Sequence, residues 1–251
     1  MTVKISGLIV AHNEEEMIEE ALKTLDICDE IVVVLDKCTD KTKKIVTKYT
    51  KEIIEGSWEV EGQRRNLGID RCKNKWILEL DADERVSPEL RESITKHIQT
   101  APDGYVLLPI HNYVGKRWIK YGWAGSFGTS KAKKLFTKGS KIWGDQRAHP
   151  ALTLSGKEME ITKGGIVHLV DKDINDMIDR LKRYSDWVAA DMRESGKIIP
   201  LKTAVRKGFT RFYKSYYARK GYKEGKYGFL IALMACLFPI LSTLKASIEE
   251  K

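Results

Sequence analysis

Four short apolar runs, each followed by a stretch of helical periodicity, constrain this chain more than any other feature. They are KISGLIVAHN (4–13), EIVVVLD (30–36), KEIIEG (51–56) and KWILEL (75–80). Runs of this length, rich in Val, Ile and Leu, suit strands buried on both faces. Between them, EEEMIEEALKTL places Ile18, Ala21, Leu22 and Leu25 at helical spacing. TDKTKKIVTKYT predicts a second helix with Thr39 as its N-cap, and GQRRNLGIDRCKN a third. Strands alternating with helices require right-handed crossovers, which predicts an α/β fold: a mostly parallel, Rossmann-like sheet with helices on both faces.

After Pro88 the pattern changes. A helix over Glu89–Gln99 leads to the strand GYVLLPI, an irregular Gly/Trp/Lys-rich region to about Gly144, and a further strand-like run, GGIVHLV (164–170). From Asp173 the chain reads as helical, with Ile174, Met177, Ile178, Leu181, Tyr184 and Val188 at helical intervals. The expected division is therefore 1–172 for the α/β domain and 173–251 for a C-terminal helical region.

Composition narrows the class. The chain has 251 residues, 42% apolar and 31% charged, which describes a folded protein with room for a sizeable core. Four scattered cysteines show no CxxC and no zinc spacing, so reduced thiols in a cytosolic setting are expected. The chain runs straight into a strand, which gives no reason to expect a secretory signal. The net charge of +9 is uneven: Lys197 to Lys226 holds ten Lys/Arg against one acid, Glu224, with Phe and Tyr interleaved. The next segment, YGFLIALMACLFPILSTL (227–244), carries no charge. A basic, aromatic stretch beside an apolar run suits attachment to a membrane surface. A nucleic-acid patch would leave the apolar run unexplained, and a solvated basic helix followed by a core helix is the other reading. Eighteen residues containing Gly228 and Pro239 fall short of the ~20 needed to span.

In open α/β sheets, ligands bind beyond the carboxyl ends of the strands. Here those ends carry His12-Asn13-Glu14, Asp36, Ser57-Trp58 and Asp81-Ala82-Asp83. Neither GxGxxG nor GxxxxGK[ST] is present, so no glycine loop is available to cradle a diphosphate. A hard divalent cation bound by carboxylates can bridge phosphates in its place, and Asp81-x-Asp83 is positioned to supply one. D-x-D alone is a common loop sequence, and its weight here comes from following a buried strand.

LIVAHNEE, EIVVVLDKCTDKT, GQRRNLGID, WILELDADERVSPEL and WIKYGW together resemble the family-2 glycosyltransferases. The nearest likeness is to bacterial lipopolysaccharide-core β-glycosyltransferases, over nearly the whole chain and most specifically over residues 5–92. The resemblance implies a GT-A fold, a nucleoside-diphosphate sugar donor, a divalent metal (Mn²⁺ or Mg²⁺) and inversion at the anomeric carbon. It implies transfer to a lipid-linked or cell-envelope saccharide, on the cytoplasmic face of the inner membrane, by a peripheral or monotopic enzyme that binds no nucleic acid.

By the same resemblance Ala11, Asn13 and Glu14 lie at the nucleotide, Asp36 at its base or ribose, and Asp40 beside them. Gln63, Arg64 and Asn66 face the crevice, with one of Arg64 and Arg65 expected to be merely solvated. Asp81 and Asp83 form the donor-sugar and metal pair, with Asp83 the direct ligand and Glu84 ion-paired to Arg85. His168 matches a late histidine that adds a further metal ligand, as against a core histidine bonded to backbone. Glu14 and Asp40 also suit helix starts, and Asp36 a strand-ending turn. Relatives carry a glutamate where WGDQRAHPAL has Pro150, so the catalytic base does not carry over. Asp145 is the nearest acid and the expected base, with His149 as the alternative and a Gly-Asp turn as the plain reading. Trp118, Tyr121, Trp123 and Trp143 suit either sugar stacking or interior packing. Two other classes remain open: a metal-dependent nucleotidyltransferase, and a non-catalytic membrane- or nucleic-acid-binding module.

Overall fold

The computed structural model describes residues 3–123, 128–145 and 151–249. Two compact units emerge: Met1–Ile110 with Lys131–His168, and His111–Ser130 with Leu169–Lys251.

In the first unit, β1 (Ile5–Ala11), β2 (Glu30–Asp36), β3 (Glu52–Gly56) and β4 (Trp76–Asp81) lie parallel in the order β3-β2-β1-β4. Helices α1 (Ile18–Lys23), α2 (Thr42–Val46) and α3 (Glu61–Arg71) make the crossovers. The chain steps outward from β1 to β3 and then returns to β4, so the strand order reverses between β1 and β4. A reversal of this kind opens a crevice at the carboxyl ends of those two strands. All seven residues of β1 are buried. Ile5, Ile9 and Ala11 join a core with Ile18 and Leu22 of α1, while Leu8 and Val10 join one with Ile69 of α3.

Beyond β4 the sheet becomes mixed. β5 (Glu84–Val86) follows at once, and α4 (Pro88–His97) starts at Ser87, whose hydroxyl accepts the Leu90 N–H. β6 (Gly104–Val114) and β8 (Lys131–Thr137) are antiparallel to each other, and β8 is antiparallel to β4. β9 (Lys141–Trp143) pairs with β10 (Leu152–Leu154) in a separate two-stranded sheet. β11 (Lys157–Glu160) runs parallel to β6, and β12 (Ile166–Asp171) is antiparallel to β5, setting His168 opposite Glu84.

Two helix starts differ from expectation. α1 begins at Ile18, after a turn in which the Glu14 carbonyl accepts the N–H groups of Met17 and Ile18. Thr39 does not cap α2, which starts three residues later at Thr42 with Lys41 before it. The Thr39 N–H instead donates to Asn13 Oδ1 at 2.8 Å. A long-range bond to the loop after β1 has displaced the local cap.

The second unit contains β7 (Arg117–Trp118), paired with the end of β6, and three long helices: α5 (Ile174–Glu194), α6 (Leu201–Tyr213) and α7 (Lys226–Ile248). α6 continues into a π-helical turn, Lys214–Ala218. α5 is capped by Asp173, and its buried Arg180 grips Asp171 through two bonds of 3.0 and 2.7 Å. α7 is long and apolar enough to cross a membrane by length and composition, yet more than half of its most apolar window is buried. Its Ile231, Ala235 and Phe238 pack with Met177 and Leu181 of α5.

α6 meets α7 through small residues, Ala204 and Gly208, both buried. A Cβ on Gly208 would stand 2.6 Å from the Cys236 carbonyl oxygen, a backbone atom that cannot swing aside. Gly208→Val is accordingly expected to cost roughly 1–3 kcal/mol by overpacking, read as a lowered Tm in thermal denaturation.

Candidate active site

The residues after β1 and after β4 meet at the crevice that the strand order creates. After β1, Asn13 takes a left-handed conformation (φ 53°), which asparagine tolerates better than most residues. This turns its carboxamide onto the neighbouring loop, where Oδ1 accepts the Thr39 N–H. Asp40 returns the contact: its carboxylate accepts the Glu15 N–H at 3.1 Å and the Thr42 N–H at 3.0 Å. The Glu14 N–H donates to Thr42 Oγ1 at 2.8 Å, and His12 Nδ1 lies 2.6 Å from the Asp36 carbonyl. Asn13 and Asp40 thus lock two strand-end loops together.

Asp36, at the end of β2, is buried. One carboxylate oxygen accepts the Trp58 N–H at 3.0 Å and the other is ion-paired with Arg64. Arg64 is not simply solvated, and neither is Arg65, which is buried among three carboxylates. Further along the same helix, Asn66 exchanges two hydrogen bonds with the Trp143 backbone, 2.9 Å to Oδ1 and 2.8 Å from Nδ2. Gln63 is exposed. Ala11 ends β1 in the core.

The D-x-D loop splits into two unlike carboxylates. Asp81 accepts from Arg65 at 2.8 Å and from Lys134 at 2.6 Å. Burial pushes its carboxyl up, but Arg65 and Lys134 more than reverse this and hold it well below the usual range. Asp81 is thus already neutralised by the protein. Asp83 is about as exposed as Asp81 but meets the imidazole of His168, Nε2 to Oδ2 at 3.2 Å. Burial lowers the pKa of His168, and the hydrogen bond and charge of Asp83 raise it further than burial lowers it. Burial, and then the negative charges of Asp83, Asp40 and Asp81, raise the carboxyl of Glu14 to about 7.

The expected Glu84–Arg85 ion pair does not form. Glu84 accepts the Asp81 N–H at 2.9 Å and pairs with Lys134 at 2.7 Å. Arg85 donates instead to the carbonyls of Ala82, Glu84 and Met17. The reason lies in β8, which brings Lys134 to the carboxyl end of β4.

Beneath the crevice is an ionic network that sequence reasoning missed. Glu79, fully buried in β4, is held by Arg65 and Lys141, each at 2.6 Å. Burial raises its pKa, but Lys141, Arg65 and Lys134 outweigh burial and bring it to about 2. A charged residue inside the apolar run KWILEL was the available signal. Its partners carry no motif, since Lys134 and Lys141 come from β8 and β9.

Among the described residues no group of three or more His, Cys, Asp and Glu side chains is arranged to hold a metal ion. The pair at the crevice, Asp83 with His168, nonetheless has donor chemistry that suits a divalent cation. Such ions are often held by one or two protein groups, with substrate phosphates and water completing the shell. Imidazole beside carboxylate suits Mn²⁺ as well as Mg²⁺. Asp145 is exposed just after β9, and no hydrogen bond or ion pair among the described residues joins it to the D-x-D loop. His149 lies outside the described residues. Of the aromatic cluster, Trp123 is buried and Trp143 lies under Arg65 and Lys141, so packing accounts for both. Trp118 and Tyr121 are partly exposed.

Comparison with known proteins supplies the context. The sequence model of the family described as "Glycosyl transferase family 2" matches residues 6–151. The lipopolysaccharide core biosynthesis glycosyltransferase LpsC of Rhizobium meliloti is 22% identical over 259 residues, covering 96% of this chain and 91% of that protein. An uncharacterised glycosyltransferase of Rickettsia bellii is 37% identical over 95 residues, 38% of this chain and 32% of that protein. Among solved structures, residues 1–349 of S. aureus TarS in complex with UDP align with a TM-score of 0.52 at 15% identity. That alignment covers 89% of this chain and 75% of TarS 1–349, and it places the architecture with GT-A folds.

Proposed function

This chain belongs to glycosyl transferase family 2, and from that premise we propose that it is an inverting, metal-dependent enzyme. It moves a sugar from a nucleoside diphosphate to a lipid-linked or cell-envelope saccharide of lipopolysaccharide type. Its division of labour gives residues 1–172 to donor binding and catalysis and 173–251 to membrane association. Its place is the cytoplasmic face of the inner membrane, as a peripheral or monotopic protein.

One observation carries this reading. The two aspartates of the D-x-D loop are prepared differently: Asp81 is saturated by Arg65 and Lys134, whereas among the described residues Asp83 is ion-paired with His168 alone. Asp83, Asp40 and Asp81 lie near enough to Glu14 to add to the effect of burial on its carboxyl, and a cation at Asp83 would offset that gathering of acids. A divalent cation bound there by Asp83 and His168 would stabilise the negative charge of the leaving diphosphate.

Around that position the chain's own residues take distinct tasks. Asp36, braced by Trp58 and Arg64, accepts hydrogen bonds from the base or ribose. Arg64 also offers its guanidinium to phosphate, and exposed Gln63 adds a donor on the same helix. Ala11, Asn13, Glu14 and Asp40 shape the loop wall against which the nucleotide lies. Asn66 holds α3 to the Trp143 backbone, and Asp81 keeps the sugar side of the loop in place. Inversion requires a base on the acceptor side to take the hydroxyl proton as the bond to diphosphate breaks. Asp145 fills that role, with His149 as the alternative.

A donor screen by thermal shift tests the assignment with the full chain. In the presence of Mn²⁺, one nucleoside-diphosphate sugar is expected to raise Tm, because a ligand that binds only the folded state at 100 times its Kd adds about 2.7 kcal/mol. EDTA is expected to remove that shift. Stabilisation by a nucleoside triphosphate, with pyrophosphate release, would instead favour a nucleotidyltransferase.

A further inference from the structure

The sequence directs attention to the basic, aromatic stretch 197–226 together with the apolar run after it as the membrane-binding region, and the fold has spent more than half of that apolar run, now α7, on internal packing. Among the apolar residues left outside is a regular stripe on α6 and the turn after it. Leu201, Val205, Phe209, Tyr213 and Tyr217 recur every fourth residue. Four of them are exposed, with Phe209 at 67%, Tyr213 at 63%, Tyr217 at 55% and Leu201 at 48%. Val205 is half-buried. A helix that needed only to cover a core would turn this stripe inward. Here the inward positions are taken by Ala204 and Gly208 against α7.

The π-helical turn at Lys214–Ala218 bears on the geometry. In an ideal α-helix an every-fourth-residue stripe drifts by 40° per step, because 3.6 residues make a turn. A wider turn at the end of α6 slows that drift, which keeps Tyr213 and Tyr217 together, their rings 5.5 Å apart.

Charge identifies the occupant. Lys202, Arg206 and Lys214 each follow a stripe residue by one position and are exposed. The single acid of this region, Glu224, is buried and accepts the N–H groups of Lys120 and Tyr121, so it offsets little of the surface charge. Apolar and aromatic side chains bordered by exposed cations are the signature of a helix lying in the plane of an anionic bilayer surface, with phenol rings at headgroup level.

We propose that α6 and the turn after it are the membrane-contacting surface of this protein, lying in the headgroup region of an anionic bilayer, while α7 serves as the core helix behind it. This rests on reading the second unit as membrane-associated and says which face makes the contact.

Flotation of the full chain with vesicles of phosphatidylglycerol and phosphatidylethanolamine tests it, against vesicles of phosphatidylcholine alone. Wild type is expected to bind the anionic vesicles, and more weakly as salt rises. Phe209→Ala is expected to weaken binding roughly tenfold or more, since burying a large apolar side chain is the main gain. The pair Lys202→Glu and Arg206→Glu is expected to weaken it at least roughly tenfold, because each cation near such a surface counts. These side chains are exposed, so an unchanged Tm and circular dichroism spectrum verify the fold of each variant. Wild type that fails to float would overturn the membrane reading altogether. Wild type that floats while these variants float equally well would overturn the assignment to α6 and return the contact to α7. Vesicle-independent dimers abolished by Phe209→Ala would reassign the stripe to a contact between copies and sink the proposal.

Discussion

Asp83→Ala is expected to lower sugar transfer on the order of 10³-fold, the scale seen when a preorganised group stabilising developing charge is removed. Three features make this the most sensitive single position. Asp83 is partly exposed, and its one ion pair among the described residues is with His168. Asp81, its neighbour in the motif, cannot substitute, because Arg65 and Lys134 already occupy its oxygens. The diphosphate leaves with charge that no glycine loop is present to absorb. Stability should change little, since substitutions at partly exposed positions usually stay within about 0.5 kcal/mol. The measurement is the initial rate against Mn²⁺ concentration, for wild type and variant, with Tm as the fold control. Transfer undiminished in the variant, or in wild type with EDTA, would remove the metal from the reaction.

Arg65→Met carries the largest expected effect on folding. Arg65 contacts Glu61, Glu79 and Asp81 at 2.6 to 2.8 Å, and Glu79 is fully buried. Removing one partner of a buried ionic cluster leaves carboxylates short of compensation, at a cost of roughly 3–5 kcal/mol. For a chain of this size that is roughly a 10 °C fall in Tm. Arg65→Lys should recover only part of it, because one ammonium cannot reach three carboxylates as a planar guanidinium does.

The network also sets an acid limit. The carboxyl of Glu79 titrates at about 2 in the folded chain, below the ~4.3 expected unfolded. Its stabilisation is therefore complete above the unfolded value and is lost as pH falls through the folded one. The stability difference between wild type and Glu79→Gln should be largest near neutral pH and shrink between about pH 4 and pH 2. Denaturant melts at several pH values would show it, and a difference that persists unchanged at pH 2 would contradict the assignment.

Much of this was legible in one dimension. A parallel strand inside a sheet is buried on both faces and announces itself as an apolar run, so β1, β2 and β4 could be read from composition, and β3, at the sheet edge and without a buried residue, from its place in the alternation. The acids at the strand ends were legible for the same reason, since polar residues that close buried runs stand out. Pairings between residues far apart in sequence were not. Nothing near Thr39 reveals that its N–H belongs to Asn13, and nothing near Asp81 reveals Lys134. The same holds for Lys141, whose partner Glu79 lies 62 positions away.

The sequence by itself determined the strands β1 to β4, where the chain presents acids, and that its second half is basic and aromatic. Those properties depend on neighbours within a helical turn or a strand repeat, whereas β7, β8 and β9 lie in the stretch before Gly144 that reads as irregular. Tertiary structure decided that Asp81 is saturated by two cations while Asp83 meets a histidine, because those partners are delivered by α3, β8 and β12. It also decided which apolar residues of the C-terminal half face outward. An every-fourth-residue stripe reads alike whether it faces a core or a surface, and only the close approach of α6 to α7 through Ala204 and Gly208 leaves Phe209 and Tyr213 exposed.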